Sequence, residues 1–176
     1  MALGDPVFEG NFFPQAADQN LRFRLTDVGG GAGITLRLTM EHGGEKWESW
    51  ATFVADRSGF VNPGLQSPKE GSYEEADQMG LFWSMLPVSE GELFILRDLE
   101  PLRYEISIED GDQFGKQSAF SVFLGPGGER REIREEGFIG TYFTPPGEEP
   151  GPAVLIIGGS EGWLEKYRAA LLANRG

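Results

Sequence analysis

Leu21, Phe23 and Leu25 are separated by Arg22 and Arg24, and Ile34, Leu36, Leu38 and Met40 by Thr35, Arg37 and Thr39. Apolar and polar residues that change places at every step occupy opposite faces of an extended chain. Both segments are therefore predicted as half-buried strands. Gly29-Gly30-Gly31 between them predicts a hairpin. Trp47 to Val54 follows a Gly43-Gly44 turn and repeats the pattern, as do Leu102, Tyr104, Ile106 and Ile108, and then Ser118 to Leu124. Arg130 to Glu135 alternates in charge and reads as a solvated edge strand. Short strands between glycine-rich turns predict a mainly β fold over residues 1–135, an antiparallel β-sandwich that is Ig-like in architecture only. Its expected core includes Phe23, Leu36, Leu38, Phe53, Tyr104, Ile106 and Phe120.

Two stretches break the alternation. Glu74 to Pro87 holds Met79-Gly80-Leu81-Phe82-Trp83, too bulky and aperiodic for a sandwich strand, with acidic residues before it and Pro87 closing it. A helical turn or an ordered loop fits that punctuation. Met79, Leu81, Phe82 and Trp83 either plug the open end of the core or form a docking surface for a second domain. The other stretch lies after the stiff, proline-rich linker Thr144 to Pro152, itself preceded by a predicted strand from Phe138 to Phe143. There Val154-Leu155-Ile156-Ile157 is a β-branched apolar run, followed by Gly158-Gly159-Ser160-Glu161-Gly162 and a helical stretch to Gly176. Strand, glycine turn and helix open an α/β unit, which needs a further strand to pair with. Residues 136–176 are accordingly expected to be a truncated start of an α/β domain that either borrows a surface, self-associates or stays loosely ordered.

Charge and composition narrow the function. The chain carries 28 acidic against 15 basic residues, a net of −13, with no cysteine and one histidine, His42. Such a field repels nucleic acid and anionic membranes, so neither is an expected partner. Disulfides, thiolate zinc sites and imidazole metal clusters are excluded, and no cofactor is implied. No charged-then-apolar leader opens the sequence, and the apolar runs are far short of a membrane span, so a cytoplasmic protein is expected.

Gly158 to Gly162 spells G-x-S-x-G, the strand-to-helix elbow that exposes a nucleophilic serine in α/β-hydrolases. The motif fails as a catalytic claim within this chain. A triad on that elbow runs Ser, Asp/Glu, His, whereas the sixteen residues after Ser160 hold neither His nor Asp. Ser160 has nothing to take its proton. The loop can instead be an oxyanion loop of backbone N–H groups, a phosphate cradle at a helix N-terminus, or a tight turn made possible by glycine.

Three stretches together resemble the acyl-CoA thioester hydrolase/bile acid-CoA:amino acid N-acyltransferase family. They are Trp50-Ala51-Thr52-Phe53-Val54-Ala55-Asp56-Arg57-Ser58-Gly59, the segment Met79 to Met85, and the run Gly151 to Gly162. The segment Met79 to Met85 is the most specific of them. The resemblance implies an Ig-like sandwich ahead of an α/β-hydrolase domain. It implies that Gly159, Ser160, Glu161 and Gly162 lie beside the oxyanion site. The nucleophile, acid and histidine then lie on later segments, beyond Gly176, so this chain alone is expected to be inactive. The intact protein would take acyl-CoA as substrate, for thioester hydrolysis or for acyl transfer to an amine. A free-standing sandwich that binds protein or carbohydrate is the reading outside that class.

Overall fold

The computed structural model describes residues 6–89, 96, 98–109, 115–147, 151–159 and 164–176. These fall into two compact units. The first comprises 6–15, 20–89, 102–109 and 115–120, and the second 16–19, 96, 98–101, 121–147, 151–159 and 164–176. The protein is mainly β, and every pairing with a defined register is antiparallel.

Strands β1 (Val7–Gly10), β2 (Gln15–Ala16) and β3 (Phe23–Thr26) lead into β4 (Gly33–His42) and β5 (Glu45–Val54). The hairpin between β4 and β5 is set by two glycines. Gly43 and Gly44 have φ of 65° and 86°, the left-handed values a two-residue turn demands, and His42 pairs with Glu45 across them. Ten residue pairs follow in register, from His42↔Glu45 to Gly33↔Val54. Ile34, Leu36, Leu38 and Met40 of β4 are buried, as are Trp47, Ser49, Ala51 and Phe53 of β5. The alternation in sequence is thus the alternation in burial.

Short strands β6 (Glu70–Gly71) and β7 (Leu86–Pro87) flank a one-turn helix, α1 (Gly80–Trp83). Strand β8 (Leu102–Glu109) then lies on the other side of β4, and β9 (Lys116–Val122) follows. The sheet runs β2-β9-β8-β4-β5-β6, with β7 also on β5. On its outer face Arg37 binds Glu109 through Nε at 2.6 Å and Glu48 at 2.9 Å, tying three adjacent strands. The hydrogen bond from Arg37 holds the Glu109 carboxyl below its ordinary range.

Two expectations are corrected here. Strand β3 does not form a hairpin with β4. It pairs with β1 in a separate two-stranded sheet, from Phe23↔Gly10 to Thr26↔Val7. The glycine stretch crosses instead of folding back, because Val28 N–H donates to Gly59 O and Gly31 N–H to Ala55 O. Phe23 and Leu25 nevertheless share one buried cluster with Leu36, Leu38, Phe53, Ile106 and Ile108. Phe120, expected inside, lies on the other face of β9, where the Arg103 guanidinium sits 5.3 Å from its ring centre. Ala119 is the buried residue in its place. Tyr104 is only partly buried, packed at the margin of the cluster.

In the second unit β10 (Glu129–Glu135) and β11 (Phe138–Thr144) pair along their whole length, and α2 (Lys166–Ala173) follows. Glu132 accepts hydrogen bonds from Arg130, from Lys166 Nζ at 3.0 Å and from Thr141 Oγ1 at 3.0 Å. Those donors, Arg130 first, bring its carboxyl down to about 2. Asn174 closes the helix end against the chain, donating to Phe123 O at 2.9 Å and accepting from Gly125 N–H at 2.7 Å. Ala170 is the buried residue of α2, while Leu172 is exposed.

The predicted strand over Val154 to Ile157 is not formed. No strand is assigned to residues 151–159, and Val154, Leu155 and Ile157 are 67%, 77% and 80% exposed. A parallel-sheet strand is buried on both faces by its neighbours, and no described strand pairs with this run.

Candidate functional site

The expected site residues lie in two separate places. The first is the glycine loop. Gly159 is exposed, and a β-carbon built there would meet nothing within 4 Å. Openness of that kind suits backbone N–H groups meant to face a ligand, but it equally suits a plain turn. Ser160, Glu161 and Gly162 lie outside the described residues. His42 stands at the β4–β5 hairpin turn, positioned by the turn register.

The second place is the loop around α1. Gly71 pairs with Ala51 and Glu70 with Thr52, while Leu86 pairs with Glu48 and Pro87 with Trp47. Residues 72–85 therefore leave and rejoin one edge of β5 within the stretch Glu48–Ala51. Ser72 N–H donates to Trp50 O at 2.8 Å, and Ser49 Oγ donates to Leu81 O at 2.5 Å. Leu81 is 1% exposed and belongs to the main cluster. Phe82 is half-buried with its ring edge-on to Tyr104, 5.1 Å between centres.

Asp77 organises the turn. Its Oδ1 accepts Met79 N–H at 2.7 Å and its Oδ2 accepts the Trp83 indole N–H at 2.9 Å. An aspartate oxygen that accepts the amide two residues on makes an Asx turn, here leading into α1. Tyr73 lies beneath, its ring centre 5.9 Å from that of Trp83. A β-carbon at Gly80 would overlap the Tyr73 ring, standing 2.6 Å from Cδ2, so only glycine allows the helix this close. The Tyr73 hydroxyl is buried with no hydrogen-bond partner among the described residues. Burial, and secondarily the Asp77 carboxylate, push its ionisation well up.

The four docking candidates therefore divide. Leu81 plugs the core, Phe82 and Met79 are half-buried, and Trp83 is 62% exposed. Sequence reasoning named the segment but missed Tyr73 and Asp77, which hold it. The Asp77-x-Met79-Gly80 spacing was the available signal for the Asx turn. The first unit also carries an open groove of about 620 Å³ lined by Glu9, Arg22, Arg24, Asn62, Leu65 and Gln78. Arg24 is engaged there by Glu9 and by the Phe60 ring.

Comparison with known proteins adds identity to this geometry. Residues 18–135 match the family model described as the acyl-CoA thioester hydrolase/BAAT N-terminal region. Acyl-coenzyme A thioesterase 2, mitochondrial, of Mus musculus is 33% identical over 151 residues, covering 81% of this chain and 33% of that protein. Acyl-coenzyme A amino acid N-acyltransferase 2 of Rattus norvegicus is 30% identical over 172 residues, covering 91% of this chain and 41% of its own length. Bile acid-CoA:amino acid N-acyltransferase of Mus musculus is 28% identical over 172 residues, covering 90% and 41%. The chain thus spans between a third and two fifths of the length of these relatives.

Proposed function

The chain belongs to the acyl-CoA thioester hydrolase/BAAT N-terminal region family, and we propose that it is the N-terminal part of an enzyme acting on acyl-CoA thioesters. The family match over residues 18–135 is the observation that carries this reading. The two acyltransferase matches extend over 172 residues, so the likeness does not stop at the β-rich region. In that reading residues 1–135 are an Ig-like sandwich and 136–176 the start of an α/β-hydrolase domain. The core common to β3, β4, β5 and β8 supports the first part. The exposed apolar run Val154 to Ile157 supports the second, being what a central strand looks like without its neighbours.

The reaction of the intact enzyme is acyl transfer. A nucleophile outside this chain adds to the thioester carbonyl, the C–S bond breaks, and CoA departs as a thiolate. Water or an amine then takes the acyl group. This chain contributes binding and oxyanion stabilisation. Gly159, Ser160, Glu161 and Gly162 are assigned to the oxyanion loop, whose part in the intact enzyme is to stabilise the oxygen on which negative charge develops. Of the segment Met79, Leu81, Phe82 and Trp83, the face on which the following domain docks is marked by Met79, Phe82 and the exposed Trp83, while Leu81 anchors the segment in the core. The cytoplasmic location belongs to the same proposal, and imaging of a tagged chain tests it. One of the relatives carries "mitochondrial" and another "peroxisomal" in its name.

Thiol release from a long-chain acyl-CoA tests the function. The 176-residue chain should not exceed the buffer rate, while a polypeptide extended in frame to the length of the relatives should. Activity of the short chain that Ser160→Ala abolishes would restore the elbow reading. An extended protein inert toward every acyl-CoA, with water or amine as acceptor, sinks the proposal.

A further inference from the structure

The open groove of the first unit, about 620 Å³, is built on a fixed frame. Pro63 is fully buried and anchors the turn from Asn62 to Gln66, in which Leu65 N–H and Gln66 N–H donate to Asn62 O at 3.0 and 2.9 Å. Asn62 Oδ1 accepts Gly64 N–H at 3.1 Å, which leaves the side-chain nitrogen Nδ2 as a donor. Gln78 Nε2 donates to Phe23 O at 3.2 Å, which leaves its Oε1 as an acceptor. That oxygen lies against Gly64, 2.7 Å from where a β-carbon there would stand. Beside β3, Asn11 N–H donates to Arg22 O at 3.0 Å and Asn11 Oδ1 accepts Arg22 N–H, so the backbone that carries Arg22 is held as well. Leu65 adds an apolar side chain that is 80% exposed.

Charge in the groove runs against the chain as a whole. The chain has 28 acidic and 15 basic residues, whereas the groove is lined by Arg22, Arg24 and a single carboxylate, Glu9. Glu9 is already answered, since Arg24 NH2 lies 2.6 Å from its Oε2. Arg22 has no side-chain partner among the described residues. The two arginines leave one face of the extended chain about 7 Å apart, so an anion on Arg22 also feels Arg24. We propose that the groove binds a phosphate ester with a hydroxylated body. Arg22 takes the phosphate, and Asn62 Nδ2 and Gln78 Oε1 offer the donor and the acceptor that sugar hydroxyls need. A phosphate monoester carries about two negative charges near neutral pH and suits a planar guanidinium fork. A simple carboxylate brings one charge and fills little of the space. Two sources carry this chemistry, the nucleotide end of a CoA thioester and a free sugar phosphate. The groove lies in the first unit, and no step of the catalytic proposal is used to assign it.

Adenosine monophosphate and ribose phosphate are the probes, with ribose and acetate as controls, titrated into the isotope-labelled 176-residue chain. The NMR signals of the Arg22 Nε–H, the Asn62 side-chain amide and the Leu65 backbone amide report binding. Both phosphates should shift them saturably, with an affinity that falls as salt rises, and the controls should not. Arg22→Gln should weaken binding about tenfold or more, as loss of a hydrogen bond to a charged group does. Glu9→Gln should tighten it severalfold, because it removes the carboxylate that lines the groove and frees Arg24; misfolding cannot produce that gain. Arg134→Gln, on β10 of the second unit, should leave binding unchanged. Tighter binding of adenosine monophosphate, reduced by Leu65→Ser, supports the proposal with a nucleotide-tailed ligand. Equal binding of the two phosphates, indifferent to Leu65→Ser, supports it with a sugar phosphate. No saturable shift with either phosphate, an equal response to acetate, or unchanged affinity in both Arg22→Gln and Glu9→Gln overturns the inference. None of these readouts involves thioester cleavage, so the catalytic proposal stands or falls separately.

Discussion

Replacing Leu81 by alanine tests whether the loop around α1 belongs to the core or merely lies on it. Leu81 is 1% exposed and touches the cluster that Leu25, Leu36, Phe53 and Ile106 form. Fully burying a leucine is worth about 1.5–3 kcal/mol by area. Truncation to alanine also leaves a cavity, which brings typical losses to about 2–5 kcal/mol. Trp83, two residues on, is the internal control. It is 62% exposed, so its alanine variant forfeits chiefly the hydrogen bond to Asp77 and one ring contact, about 1 kcal/mol. Urea unfolding followed by both circular dichroism and tryptophan fluorescence measures the two variants, coincident transitions being required because the chain has two compact units. Leu81→Ala should lower the midpoint strongly with an unchanged slope. A loss under about 1 kcal/mol, or one no larger than that of Trp83→Ala, refutes the reasoning and makes the loop an appendage.

Other expectations follow from the same contacts. Gly80→Ala should destabilise the loop although helix propensity favours alanine, because the new methyl overlaps the Tyr73 ring; a variant as stable as the parent in the same urea assay contradicts this. Glu132 has its carboxyl held near 2 against an ordinary 4.5, so its contribution is complete above about 4.5 and lost as pH falls through about 2. Amide exchange in β10, β11 and α2 should quicken across that window, and Glu132→Gln should remove the pH dependence. Ile106→Ala should cost about 2–5 kcal/mol, and Phe120→Ala much less, since Phe120 lies outside the core cluster; equal losses would restore the register first expected for β9. Truncation after Glu136, which tests the division at residue 135, should leave the cluster of the first unit folded while β10 loses all seven of its paired partners in β11. Global unfolding of that product places the boundary elsewhere.

What the sequence made legible was which face of a strand is buried, and what it hid was which strand lies alongside. The run Ile34 to Met40 predicts its own burial because alternation is a local property of the extended chain. Partner choice is not local. Phe23 and Leu25 carry the same alternation whether β3 pairs with β4 or with β1, and the decision falls to hydrogen bonds from Val28 and Gly31 to residues far along the chain. In β9 a bulky Phe120 next to a small Ala119 invited the wrong face, since hydrophobicity favours burying the aromatic. The sheet buries the alanine, and Arg103 covers the ring outside. The same limit applies to the functional residues. Leu81 and Trp83 are both large and apolar in sequence, yet one fills the core and the other faces solvent, with Ser49 bound to the Leu81 carbonyl and Asp77 to the Trp83 indole. Val154 to Ile157 is the converse case, with a local pattern that asks for a buried parallel strand and no described neighbour to bury it. A strand is a relation between segments. Where no second segment lies alongside among the described residues, the apolar pattern predicts a need for cover, and the exposure of those side chains measures how far that need goes unmet.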